Sequence, residues 1–262
     1  MTPNTPRRFE GARRWLSLPG HWQPKTLSEA TLRELCAFRV SIMGLRPETD
    51  PEQDYLAFRQ TLRRCEFVWV DEVGGELAGM YAVVLRTLEH EGAQFAIWEG
   101  EYACVSPHHR KGWKIVLSVA TSLAYMRLRH RRHRPYIFGA AYLPSFLLLH
   151  RVGAVYLHDD PAMSASERSL MARLSSEYRG WDPTTGTIVL PTRPIQPRTT
   201  PPSEPSLRQP WERYLARNPR WYEGRANAVL KPISGLGAAI ARETVRLSSR
   251  RFFASRRRRD AA

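Results

Sequence analysis

Residues 102–117 read YACVSPHHRKGWKIVL and gather the residue types that hold a phosphate. An apolar strand runs into Val105-Ser106-Pro107, a short basic loop follows, and a helical apolar period begins at Ile115. Backbone N–H groups at such a helix start point outward without intrahelical partners, and the helix dipole favours an anion beside them. His109, Arg110, Lys111 and Lys114 add positive charge around Gly112, the only glycine of the loop, with Trp113 next to it. Earlier on the same strand Glu99 and Glu101 are two residues apart, so strand alternation puts both carboxylates on one face. A carboxylate so placed can take a proton from an amine directly or through one water, provided it is tuned toward the working pH. The other reading of the pair is two solvent-facing edge carboxylates. His108 and His109 are adjacent, so their side chains diverge, and no Cys, Asp or Glu cluster flanks them; no metal site is expected. No G-x-S-x-G occurs and no cysteine adjoins a histidine, which leaves no pattern for a nucleophilic triad.

A second segment, residues 135–157, reads PYIFGAAYLPSFLLLHRVGAVYL. Tyr136 to Gly139 reads as a buried strand, Phe146, Leu147, Leu149 and His150 as a helix that Gly153 ends, and Val155-Tyr156-Leu157 as the start of another strand. Together the two segments resemble the GNAT superfamily of N-acetyltransferases. Its donor strand ends V-x-P, its loop reads Q/R-x-x-G-x-G/A and its later helix reads N-x-x-A-x-x-x-Y-x-x-x-G-F. With Gly112 on the first loop glycine, His109 takes the Q/R position and Lys114 the final G/A. With Gly153 on the helix-closing glycine, Tyr142 falls on the Asn, Ser145 on the Ala, Leu149 on the Tyr and Ala154 on the Phe. That tyrosine is the family's usual acid for the departing thiolate, and Leu149 has no proton to give. Tyr142 and Tyr156 are the nearest phenols that could replace it.

The resemblance implies an α/β fold with a mixed, mainly antiparallel sheet flanked by helices. It implies transfer of an acyl group from a thioester, acyl-CoA, to an amine by direct attack, with no covalent enzyme intermediate. Cys104, Val105, His109, Arg110, Lys111, Gly112, Trp113 and Lys114 would then line the donor, with main-chain donors near Cys104–Val105 meeting the oxyanion. Glu99 or Glu101 would be the base and Tyr142 the candidate acid. Two alternatives stay open. One is a donor carried as phosphopantetheine on acyl carrier protein, as in N-acyl amino acid or homoserine-lactone synthases; a formal charge of +15 would steer that acidic partner. The other is a non-catalytic adaptor on the same fold.

These residues need a scaffold, and the chain supplies one. Leu32, Leu35, Cys36, Arg39, Ile42 and Met43 form a helical stripe, opened by Ser28 and closed by Gly44. Asp50-Pro51-Glu52-Gln53 is a second helix start. Phe67–Val73, a Gly74-Gly75 turn, Leu77–Leu85 and Ala93–Val105 make a three-strand meander. The face of the helix after the loop is Ile115, Val116, Val119, Leu123 and Met126. Ser164-x-x-Glu167 opens another helix, Thr187–Leu190 is a last strand, and a first strand is placed near Trp15–Leu18. The chain divides into an N-terminal arm at 1–24, an acyltransferase-like domain at 25–190, a Pro-rich linker at 191–210 and an aromatic and basic extension at 211–262. Trp211, Tyr214, Leu215, Trp221 and Tyr222 are too aromatic for a plain tail and should dock on the domain or on a partner. The final stretch is a basic amphipathic helix candidate ending in Arg256–Arg259, suited to an anionic membrane surface or an acidic partner. No sequence-specific nucleic-acid motif is present.

Composition sets the remaining bounds. The 262 residues, 42% hydrophobic with eight tryptophans, suffice for a packed core, and only four of forty basic residues are lysine. Cys36, Cys65 and Cys104 lie far apart, as core residues in a reducing compartment do. The first residues hold basic side chains without an apolar stretch, and no run approaches a membrane span, so a cytoplasmic protein, at most peripheral to a membrane, is expected.

Overall fold

The computed structural model describes residues 21–22, 27–109, 114–151, 153–195 and 200–233. Strand β1 (His21–Trp22) comes first, and the strand expected near Trp15–Leu18 lies outside the described residues. Ser28 accepts a hydrogen bond from the Thr31 N–H and starts α1 (Glu29–Ile42). The helix ends at Ile42, one residue short of the stripe's last member, Met43: Gly44 is not its cap but the middle of β2 (Met43–Leu45). Asp50 accepts from the Gln53 N–H, Pro51 needs no donor there, and α2 (Pro51–Arg64) follows. Gly74 and Gly75, with φ of 63° and 84°, form the two-residue turn joining β3 (Phe67–Val73) to β4 (Glu76–His90). Then come β5 (Ala93–Val105), α3 (Lys114–Arg129), β6 (Arg134–Ala141), α4 (Leu143–His150) and β7 (Tyr156–Leu157). Ser164 and Glu167 satisfy one another's backbone N–H groups in a full capping box at the head of α5 (Ala165–Ser176). The chain continues through β8 (Trp181–Asp182), β9 (Thr187–Val189), β10 (Thr192–Pro194), α6 (Arg208–Arg217) and β11 (Arg225–Pro232).

The main sheet runs β1-β3-β4-β5-β6-β11-β9-β8, with β7 also on β11. Its pairs are antiparallel except for β5 with β6, so this is a mixed, mainly antiparallel sheet. Alternation sorts the side chains. Val68, Val70, Met80 and Ala82 pack under α1 and α2, whereas Phe67, Trp69, Tyr81 and Val83 point the other way to Leu123 and Met126 of α3. Phe95, Ile97 and Phe138 continue the first face beneath Leu170, Met171 and Leu174 of α5. Phe146 and Leu147 of α4 pack with Tyr214 and Trp221.

The boundary placed at Leu190 falls inside the sheet. β11 is bonded to β6 along one edge and to β9 and β7 along the other. The residues before it are equally committed: β10 pairs with β2, and Tyr214 donates its hydroxyl proton to the Ala141 carbonyl at 2.8 Å. The aromatic stretch therefore docks on the fold itself. The stretch placed as a Pro-rich linker holds β10 and the first residues of α6, and its proline content carries no information about the strand that follows. Residues 234–262, including the basic helix candidate, lie outside the described residues.

Candidate active site

The parallel pairing of β5 with β6 covers Phe95–Glu99 and Arg134–Phe138 and then ends. Beyond that point β5 keeps its bonds to β4 as far as Val105, and β6 keeps its bonds to β11 as far as Ala141. The two strands therefore part at a fork, and among the described residues Gly100–Val105 of β5 has no strand partner on that side, which suits an extended, amide-bearing molecule. Gly100 stands at the fork, where a side chain would crowd the Trp98 ring at 3.3 Å.

Glu99 is the last paired residue before the fork and lies on the face shared by α1, α2 and α5. It is buried, at 5% exposure, and accepts a hydrogen bond from Arg86 Nη2 at 2.8 Å. Arg86 is itself shared, its Nη1 donating to Glu177 just past α5 at 2.5 Å. Burial raises the Glu99 carboxyl to about 7 against the opposing pull of Arg86, and the neighbouring charges of Glu101 and Glu177 push the same way. A bulge in β5 pairs Ala82 with Tyr102 and Val83 with Gly100, leaving Glu101 as the extra residue. Glu101 reaches Arg64 of α2 at 4.0 Å, and burial raises its pKa too, offset by Arg64 and Arg86. The same bulge brings Tyr102 onto this face, 4.9 Å from the Phe58 ring. Both glutamates thus share one half-closed polar site, and neither is an open edge carboxylate.

The remaining candidates are distributed differently. Tyr142 follows β6 directly and caps α4, but its hydroxyl donates to the Thr192 carbonyl of β10 at 2.5 Å, and burial raises its pKa. That bond ties the phenol to β10 and commits its proton to a backbone acceptor. Leu149 packs, half-buried, between the cluster of Trp98 and Ile137 and the cluster of α4, with no protic group of its own. Cys104 is buried, with its thiol pushed up to about 12 by burial, so it is no nucleophile. Val105 ends β5, and His109 closes an exposed turn through its N–H to the Ser106 carbonyl at 2.9 Å. Arg110, Lys111, Gly112 and Trp113 lie outside the described residues, and Lys114 opens α3. Among the described residues no three His, Cys, Asp or Glu side chains are grouped to hold a metal.

Several polar residues escaped the sequence reading. Arg86 is a charge within an apolar strand and was visible as such. Glu177 and Tyr178 follow α5, and only the packing of that helix brings Tyr178 within 5.9 Å of the Phe138 ring. Lys231 of β11 is fully buried beneath Gly153, its Nζ donating to the Ala154 carbonyl at 3.0 Å, and burial lowers it to about 8.

Several solved structures are similar to the chain. One is an Enterococcus faecalis protein described as a probable N-acyltransferase, at 11% identity and TM-score 0.38, covering 50% of this chain and 31% of that one. The chain thus spans only 31% of that protein's length. Another is an aminoglycoside 6'-N-acetyltransferase from Acinetobacter haemolyticus, at 15% identity and TM-score 0.36, covering 48% of this chain and 84% of that one. A third is an aminoglycoside acetyltransferase from an uncultured soil sample, at 19% identity and TM-score 0.36, covering 55% and 96%. The sequence matches no family model and no curated protein.

Proposed function

We propose that the chain is an N-acyltransferase that moves an acyl group from acyl-CoA to an amine, with Glu99 as the base. One observation carries the reading: a buried carboxylate, raised to about 7, sits at the point where β5 and β6 part. A thioester arm laid in the fork would pair its amides with the free edge of β5. Its carbonyl carbon would lie at the fork, and the amine would approach from the face of α1, α2 and α5. Glu99 takes the proton from the amine nitrogen, that nitrogen forms the new bond to the carbonyl carbon, and the carbon–sulfur bond breaks to release thiolate. Leu149 offers the thiolate no proton, so it leaves as the anion or draws one from solvent. Arg86, shared between two carboxylates, holds Glu99 in place and keeps its pKa from rising further. The basic loop from His109 to Lys114, with Cys104 and Val105 ahead of it, is the donor's phosphate end in this reading.

The test is turnover of a panel of amines with acetyl-CoA, longer acyl-CoA and acyl carrier protein, in wild type and Glu99→Gln. The substitution should lower turnover by about 10² or more with donor binding retained. Full activity in the variant removes Glu99 from the chemistry. Turnover with acyl carrier protein alone replaces the donor, and no thermal stabilisation by any thioester sinks the transferase reading.

A further inference from the structure

We infer that the turn between α3 and β6 is a docking surface for an anionic lipid bilayer. Residues 127–134 read RLRHRRHR, five arginines and two histidines in eight positions. All five arginines are exposed, and Leu128, between the first two, is 64% exposed. Among the described residues only Arg129 of the five has an ion-pair partner, Glu66 at 2.9 Å. The rings of His130 and His133 meet edge to face, 5.3 Å between centroids, and brace the turn that displays the arginines.

Ile233, the last described residue, donates its N–H to the Pro135 carbonyl at 3.1 Å, beside the basic turn. Residues 234–262 leave from that point and contain eight arginines against two acids, with Phe252-Phe253 among them. The chain therefore passes beside the basic turn just before its sequence enters a second basic stretch.

Position and chemistry select among anionic partners. α3 has 16 residues, about 24 Å at 1.5 Å per residue, and separates this turn from the donor loop at the helix's other end. An acidic carrier delivering a thioester belongs at that other end. A nucleic-acid backbone would attract the arginines but gains nothing from an exposed leucine or a phenylalanine pair. The boundary between headgroups and acyl chains accepts both, apolar side chains inward and arginines at the phosphates.

The experiment is co-sedimentation of the full chain with phosphatidylcholine vesicles, with and without phosphatidylserine, across a salt series. Binding should require phosphatidylserine and weaken as salt rises. Arg131→Gln and Arg132→Gln should each lower partitioning about fivefold. Leu128→Ser should lower it further at salt concentrations that screen the charges. These side chains are exposed, so an unchanged melting temperature keeps the comparison clean. Equal binding by wild type and the Arg131→Gln/Arg132→Gln variant overturns the assignment, because the tail alone would then suffice. Release from vesicles by an equal charge of duplex DNA or RNA overturns it in favour of nucleic acid.

Discussion

Glu99 links activity and stability through one proton. Burial lifts its carboxyl from 4.5 to about 7, so the native state holds that proton more tightly than the unfolded chain. Its contribution to stability is complete below about 4.5 and is lost as pH rises through about 7. Catalysis needs the opposite form, the carboxylate. Across this window kcat/KM should rise while the urea midpoint falls, and Glu99→Gln should flatten that component of both curves. Glu101 shares the face and titrates with it, so the measured midpoints belong to the pair. Lys231 has the reverse sign. Burial lowers it from 10.5 to about 8, so burying its charge weakens the fold below about 8, and stability is regained as pH rises toward 10.5. Lys231→Met should remove this rise and be neutral or stabilising at neutral pH, as read from denaturant melts. Spacing alone located Glu99 and Glu101, because strand alternation is local. Arg86 and Tyr178 are brought to them by sheet register and by α5, which no spacing in their own segments encodes.

At the scale of elements, α1 and α2 are held together by Arg39 and Asp54, an ion pair whose side chains are 3% and 2% exposed. Asp54→Ala would strand a buried guanidinium and should cost about 3–5 kcal/mol, whereas the double variant Arg39→Met/Asp54→Leu should cost far less. Chemical denaturation of the three proteins separates charge from packing. Gly180, in the turn between α5 and β8, makes a second element-level case: a methyl there would land on the carbonyl of Val189 at the end of β9. Gly180→Ala should cost about 1–3 kcal/mol by the same measurement. The helix starts were legible because Ser28, Asp50 and Ser164 act within three residues of themselves. The end of α1 was not, since Met43–Leu45 is drawn into pairing with Thr192–Pro194 from far along the chain. β11 was hidden for another reason. Ala226 to Leu230 is buried on both faces, so it shows no alternation, and a short apolar run behind a proline-rich crossing has no period to read.

For the molecule as a whole, the two ends of the C-terminal region should behave differently. Deleting residues 256–262 removes charge but no described contact, and the thermal midpoint should stay where it is. Ending the chain after Leu190 removes α6 and β11, bares Phe146 and opens the edges of β6 and β9. That fragment should aggregate and give no cooperative melt, as followed by circular dichroism and light scattering. The position of β11 also sets the order of events during synthesis. β11 lies between β6 and β9 in the sheet but follows both in the chain, so β6 and β9 must wait, each with an open edge, while the segment from 190 to 225 is translated. Closing that gap joins residues distant in sequence, which makes it a slow step. A nascent chain paused before Arg225 would be the form most in need of a chaperone, and synonymous codons that slow translation there should lower the soluble yield of an unchanged protein.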